Sequence, residues 1–198
     1  MVDYRDPDDN PDLPRKGRSS PGERLARMRE RNAALSGVEA IEAAREVALR
    51  QLDARSRSRA QLHTAITSRG FSSDIADEVL ERLARVGLVD DAAYAGALVR
   101  DRFRGSGKVG RALLEDLRRR GIGEEDIRTA MDSIDPEDEV QRARELVESK
   151  RRAMAGVPRD VAWRRLSGAL ARKGYSSGVA MRVIRDALEE WDNDNTGD

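Results

Sequence analysis

Leu62-His63-Thr64-Ala65-Ile66-Thr67-Ser68-Arg69-Gly70-Phe71 returns twice further along the 198-residue chain. It comes back as Leu113-Leu114-Glu115-Asp116-Leu117-Arg118-Arg119-Arg120-Gly121-Ile122 and as Leu166-Ser167-Gly168-Ala169-Leu170-Ala171-Arg172-Lys173-Gly174-Tyr175. The three glycines stand 51 and 53 residues apart. Each has an apolar residue eight and four positions before it, a basic residue just before it and an apolar residue just after. Nine and ten positions on come Val79-Leu80, Ala130-Met131 and Val183-Ile184. Offsets of this kind on both sides of a break are helical periods. A glycine behind a cation is a helix C-terminal signal, because glycine enters the left-handed cap conformation and the cation suits the dipole. Each unit therefore reads as helix, glycine-capped turn, helix, repeated three times.

A further helix precedes each pair. Ile41, Ala44, Ala48, Leu49 and Leu52 recur at helical spacing, and Ser58-x-x-Gln61 forms a capping box for the next helix. In the second unit Asp90 or Asp91 caps a helix bearing Ala93, Tyr94, Ala97 and Leu98. In the third, Asp135-Pro136 opens a helix through Val140, Ala143, Leu146 and Val147. There is no alternating β-branched run. The fold expected is all-α: an elongated tandem array of three three-helix repeats over 38–89, 90–135 and 136–191, each too small to be stable without its neighbour.

The flanks read differently. Residues 1–37 hold four of the six prolines and few apolar residues, with a net charge of −4 over 1–12 and +5 over 13–37. Disorder is expected there, with transient helicity over Glu23–Leu35. Residues 192–198 read as a short acidic tail.

Composition narrows the function. With no cysteine and one histidine, thiolate chemistry and the usual zinc cages are excluded. No apolar run spans a bilayer and the acidic N-terminus is no signal peptide, so a soluble cytoplasmic protein that makes no membrane contact is expected. Gly105-x-Gly107-x-x-Gly110 matches the dinucleotide fingerprint in letters but follows a charged helical stretch rather than a strand. His63 has no nucleophile or ligand partner nearby, and Phe71, Phe103, Trp163 and Tyr175 read as packing residues. No catalytic constellation is present, so the chain is expected to be neither an enzyme nor a cofactor binder.

Arginine supplies 33 of the 37 basic residues. The break between the first and second helices is basic in every unit: Arg55, Arg57 and Arg59; then Arg100, Arg102, Arg104, Lys108 and Arg111; then Lys150, Arg151, Arg152 and Arg159. Stacked in register, these joints would form a positive stripe for a polyanion or an acidic protein surface. Yet residues 38–188 carry 29 basic against 25 acidic groups, a net of only +4, low for a general DNA binder.

Leu49-x-x-Leu52-x-x-Arg55-x-Arg57-Ser58, followed by Gly87-Leu88-Val89-Asp90-Asp91-x-x-Tyr94 and by Gly110-x-x-x-Leu114-x-x-Leu117-x-x-x-Gly121, resembles the RecX family over about Ile41 to Leu188. Leu88 stands where an aromatic residue is common in that family, and the third unit matches most loosely. The resemblance implies a monomeric, non-enzymatic regulator that binds the RecA recombinase and its DNA filament. Such a protein mostly inhibits filament assembly, ATPase, strand exchange and coprotease activity in homologous recombination, DNA repair and the SOS response. The rival reading is a direct helix-turn-helix-like module that binds single- or double-stranded DNA by itself.

Overall fold

A computed structural model describes residues 20–154 and 156–195, and the described residues form ten α-helices and no strand. After α1 (Pro21–Ala33), unit one contains α2 (Gly37–Ala54), α3 (Arg59–Thr67) and α4 (Ser73–Arg85). Unit two contains α5 (Asp91–Asp101), α6 (Gly110–Arg119) and α7 (Glu124–Asp132). Unit three contains α8 (Pro136–Arg151), α9 (Arg159–Lys173) and α10 (Ser177–Asn195). Each unit centres one core, and Val109 and Phe103 of unit two also join the third. Leu62, Ile66, Val79 and Leu80 centre the first, Val99, Leu113 and Leu117 the second, and Leu166, Leu170, Ile184 and Leu188 the third. The residues at the −8 and −4 repeat positions are all fully buried, as their spacing required.

Local signals act where the sequence puts them. Ser58 and Gln61 form the reciprocal capping box of α3. Asp90, rather than Asp91, caps α5 by accepting from the Ala93 N–H at 2.8 Å. Asp135 caps α8, with Pro136 in its first turn. The Gly105–Gly110 stretch is no phosphate loop: α5 runs into a π-helical turn over Arg102–Ser106 and stops at Gly107, whose φ is 61°.

The glycine turns have a second role that joins the units. At the seam between units one and two, the Ser58 hydroxyl donates to the Arg120 carbonyl at 2.5 Å, and Gly121 lies against the Ala60 methyl. The Arg59 backbone N–H also donates to Asp91 Oδ1 at 2.8 Å, so the second aspartate of the Asp90-Asp91 pair serves the seam. At the next seam the Val109 N–H donates to the Lys173 carbonyl at 2.9 Å, and Gly174 abuts the Val109 carbonyl and the Ala112 N–H. In both cases the turn of one unit docks on the start of the second helix of the unit before it. A β-carbon at Gly121 or Gly174 would occupy the space of the neighbouring unit.

Two expectations at the chain ends need correcting. Residues 1–19 lie outside the described residues, but from Ser20 onward the segment expected to be disordered, with only transient helicity over Glu23–Leu35, is a docked helix. Ser20 and Glu23 make a capping box with Pro21 in the first turn, and no residue of α1 is buried. What holds α1 is polar. Arg29 Nε donates to the Ser68 carbonyl at 2.7 Å and Asn32 Nδ2 to the Arg69 carbonyl at 2.8 Å, while the Arg29 backbone fills the space that a Gly70 side chain would need. Leu35 packs against the first core. The α1 helix therefore covers the unit-one turn as each joint covers the turn of the unit after it. Such a contact is made to backbone carbonyls and leaves no trace in apolar composition. At the other end α10 continues to Asn195, beyond the expected start of an acidic tail; residues 196–198 lie outside the described residues.

Candidate basic interface

Because the turn of unit two seats on the joint of unit one, the two joints come together. Arg55, at the C-cap of α2, Arg102, which opens the π-helical turn, and Lys108, which follows it, line one depression of about 380 Å³ with Gln61, Asp116, Arg119 and Arg120. Five cations face one carboxylate.

That carboxylate organises the site. Asp116 sits on the inner side of α6 between Leu113 and Leu117, and its side chain is only 8% exposed. Lys108 Nζ donates to Oδ2 at 2.8 Å, Arg119 Nη2 lies 3.2 Å from Oδ1, and Arg102 Nε stands 3.9 Å from Oδ2. Burial pushes the Asp116 carboxyl up, but the Lys108 hydrogen bond and the charges of Lys108, Arg119 and Arg102 outweigh it and hold the group below its usual range. Arg120 is fixed separately. Its Nη1 donates to the Tyr94 hydroxyl at 2.6 Å, with the guanidinium carbon 5.9 Å from the ring centre. Arg102 Nε is buried and has no hydrogen-bond acceptor. The arrangement is a cationic recess with one donor unsatisfied, suited to anionic oxygens and lacking a nucleophile or general base.

The other sequence-derived candidates are placed elsewhere. Arg57 turns into its own unit and donates to Gln51 Oε1 at 2.9 Å. Arg59 pairs with Glu81 at 3.6 Å. The exposed Arg104 offers its carbonyl to Arg142 across the second seam, and Arg111 pairs with Glu115. In the third joint Lys150 is exposed, while Arg151 and Arg152 both pair with Glu148, whose carboxyl the Arg151 hydrogen bond holds below its ordinary range. Arg151 lines a different depression, with Gln141, Arg144 and Glu145. Sequence reasoning missed Gln61, Asp116, Arg119 and Arg120. The signal was present for Asp116, a carboxylate three residues after Leu113 and one before Leu117, and so on the buried stripe of α6.

His63 bonds Ser73 Oγ at 3.0 Å, and Phe71 and Tyr175 are core residues. Among the described residues no group of three or more His, Cys, Asp or Glu could hold a metal ion, and no helix is long and apolar enough to cross a membrane.

Three family models match the chain in tandem: the first three-helix domain of RecX over residues 44–83, the second over 90–131 and the third over 137–184. The chain is 45% identical over 160 residues to the regulatory protein RecX of Streptomyces coelicolor, covering 80% of this chain and 85% of that one. It is 44% identical over 146 residues to that of Thermobifida fusca, covering 74% and 79%. The fold superposes on the crystal structure of RecX from Lactobacillus salivarius with a TM-score of 0.69 at 20% identity, covering 74% of this chain and 95% of that one. A second crystal structure of regulatory protein RecX gives 0.67 at 26% identity, covering 74% and 73%.

Proposed function

The chain belongs to the RecX family of regulatory proteins, and on that premise we propose that it binds the RecA recombinase filament with its DNA and inhibits filament growth and the activities that depend on it. The observation that carries this reading is the first seam, where Arg55, Arg102, Lys108, Arg119 and Arg120 line one depression that holds a single carboxylate. Cations held in place by packing and hydrogen bonds form a preorganised face for a polyanion. A row of similar units suits a partner that itself repeats, because modest contacts add through effective concentration. The role is regulatory and non-enzymatic, exercised in the cytoplasm during recombination, DNA repair and the SOS response by a monomer.

The near balance of charge in residues 38–188 supports a partner that includes protein, since sequence-independent DNA binding rests on a phosphate-neutralising excess. A binding assay with labelled single-stranded DNA tests this. The chain is expected to bind recombinase-coated DNA tightly and bare DNA weakly. Tight binding to bare DNA, falling steeply with salt and indifferent to recombinase, would instead establish the direct DNA-binding module.

A further inference from the structure

Several surface arginines are balanced one to one by acids in helical register: Arg45 with Glu42, Arg50 with Glu46, Arg82 with Glu78, Arg111 with Glu115 and Arg164 with Asp160. The recess at the first seam instead gathers five cations around one carboxylate. Asp116 serves Lys108, Arg119 and Arg102 together, Arg120 is matched only by the neutral Tyr94, and no carboxylate among the described residues pairs with Arg55. Arg102 Nε, buried without an acceptor, is the kind of orphaned donor that folded proteins rarely leave.

We propose that this recess is a binding site for one phosphate group, held across the seam by residues of both units. The argument is chemical. The site offers guanidinium forks from several directions, which match the oxygens of a tetrahedral phosphate better than the two coplanar oxygens of a carboxylate. The excess of positive charge excludes a metal cation. Lys108, Arg119 and Arg120 are already held by Asp116 and Tyr94, so little side-chain order has to be gained on binding. Arg55 comes from unit one and the others from unit two, so an occupied site clamps the two units and must stabilise the seam by mass action.

The proposal rests on the reading of this seam as the contact face, but it fails separately, because its test contains no recombinase. The thermal midpoint of the full chain is measured with inorganic phosphate and with a 5′-hydroxyl oligothymidylate, against sodium chloride at matched ionic strength. Parent protein is compared with Arg55→Gln, which leaves Asp116 untouched, and with Arg102→Gln. Phosphate is expected to raise the parent midpoint beyond the salt control, with affinity about fivefold weaker in Arg55→Gln, whose contact is exposed. A response to both probes assigns the site to any phosphate group. A response to the oligonucleotide alone assigns it to the phosphodiester backbone. Equal responses in parent and Arg55→Gln, or none beyond the salt control, would overturn the proposal.

Discussion

The two seams use the same docking and end with opposite chemistry. At each, a glycine turn seats on the start of the preceding unit's second helix, and the residue before the glycine gives its carbonyl to the neighbour. At the second seam the polar groups are turned inward. Lys173 Nζ donates to the Ser106 carbonyl at 2.6 Å, Arg142 reaches the Arg104 carbonyl and lies 5.7 Å from the Phe103 ring centre, and Phe103 packs against the third core. The larger depression beside it, about 910 Å³, contains Glu139, whose carboxyl burial alone pushes up. Tyr175 nearby is pushed up to about 12, by burial first and then by the charge of Glu139. The first seam is held by a hydroxyl and a backbone N–H, so none of its guanidinium groups is spent on a backbone carbonyl of the neighbouring unit. One repeated joint has become a structural weld at one seam and a cationic recess at the other.

The sharpest way to break this comparison is at the glycines. Gly174→Ala would put a methyl into the Val109 carbonyl and the Ala112 N–H at a φ of 96°, where neither backbone can yield. A loss of about 3 kcal/mol or more is expected from left-handed strain plus overpacking, read by denaturant melting. Gly121→Ala meets only the Ala60 methyl, so Ala60→Gly should restore part of its loss, the remainder being backbone strain at a φ of 71°. Equal costs at the two glycines, with no rescue, would mean that the seams do not differ in this way.

Next in size is Asp116→Asn. Breaking a fully buried ion pair costs about 3–5 kcal/mol, and the partial exposure of the three cations brings the expectation to about 1–3 kcal/mol. The same carboxylate sets a pH dependence. Its folded pKa lies below the ordinary 3.8, so its contribution is complete above that value and is lost as pH falls through the folded pKa. Urea midpoints should therefore drop more steeply below about pH 4 in the parent than in Asp116→Asn. Parallel curves would contradict the assignment.

Removal of residues 1–34, which keeps Leu35 on the first core, leaves the Ser68 and Arg69 carbonyls without their donors and uncovers the Gly70 turn. A loss of about 1–2 kcal/mol is expected for two hydrogen bonds. An unchanged melt would show that α1 contributes nothing to unit one. The smallest effect belongs to the exposed Arg118–Glu124 pair, bidentate at 2.8 and 2.9 Å. Glu124→Ala should leave the melting midpoint unmoved, because solvent screens a pair outside the seam.

The repeat was legible because it is written in side chains whose spacing is dictated by the helix. Leu62, Leu113 and Leu166 must face inward, and Gly70, Gly121 and Gly174 must end helices. The seams were not legible, because they are made by backbone carbonyls and by the absence of a β-carbon, which leave no residue-type signature beyond the glycine itself. The basic joints were visible as clusters, but their fate depended on which neighbours they would meet. Arg55, Arg102 and Lys108 converge, whereas Arg151 and Arg152 meet Glu148 of their own unit, only three and four positions away. The helicity of α1 was legible over Glu23–Leu35, but its docking was not, for the same reason as the seams: Arg29 and Asn32 bind carbonyls rather than a core.

On the reading proposed above, the first seam is the face through which the chain regulates the recombinase. The most direct test of that reading is the ATPase of RecA on single-stranded DNA with substoichiometric chain. Parent is compared with Arg55→Glu plus Arg119→Glu at the recess, and with Arg128→Glu on the exposed side of α7. The recess variant, folded by circular dichroism, should lose inhibition about tenfold, since two exposed charge contacts of about 0.7 kcal/mol each sum to about 1.4 kcal/mol. Arg128→Glu should inhibit as the parent does. A folded recess variant that inhibits as well as the parent would contradict the account and move the contact surface away from the seam.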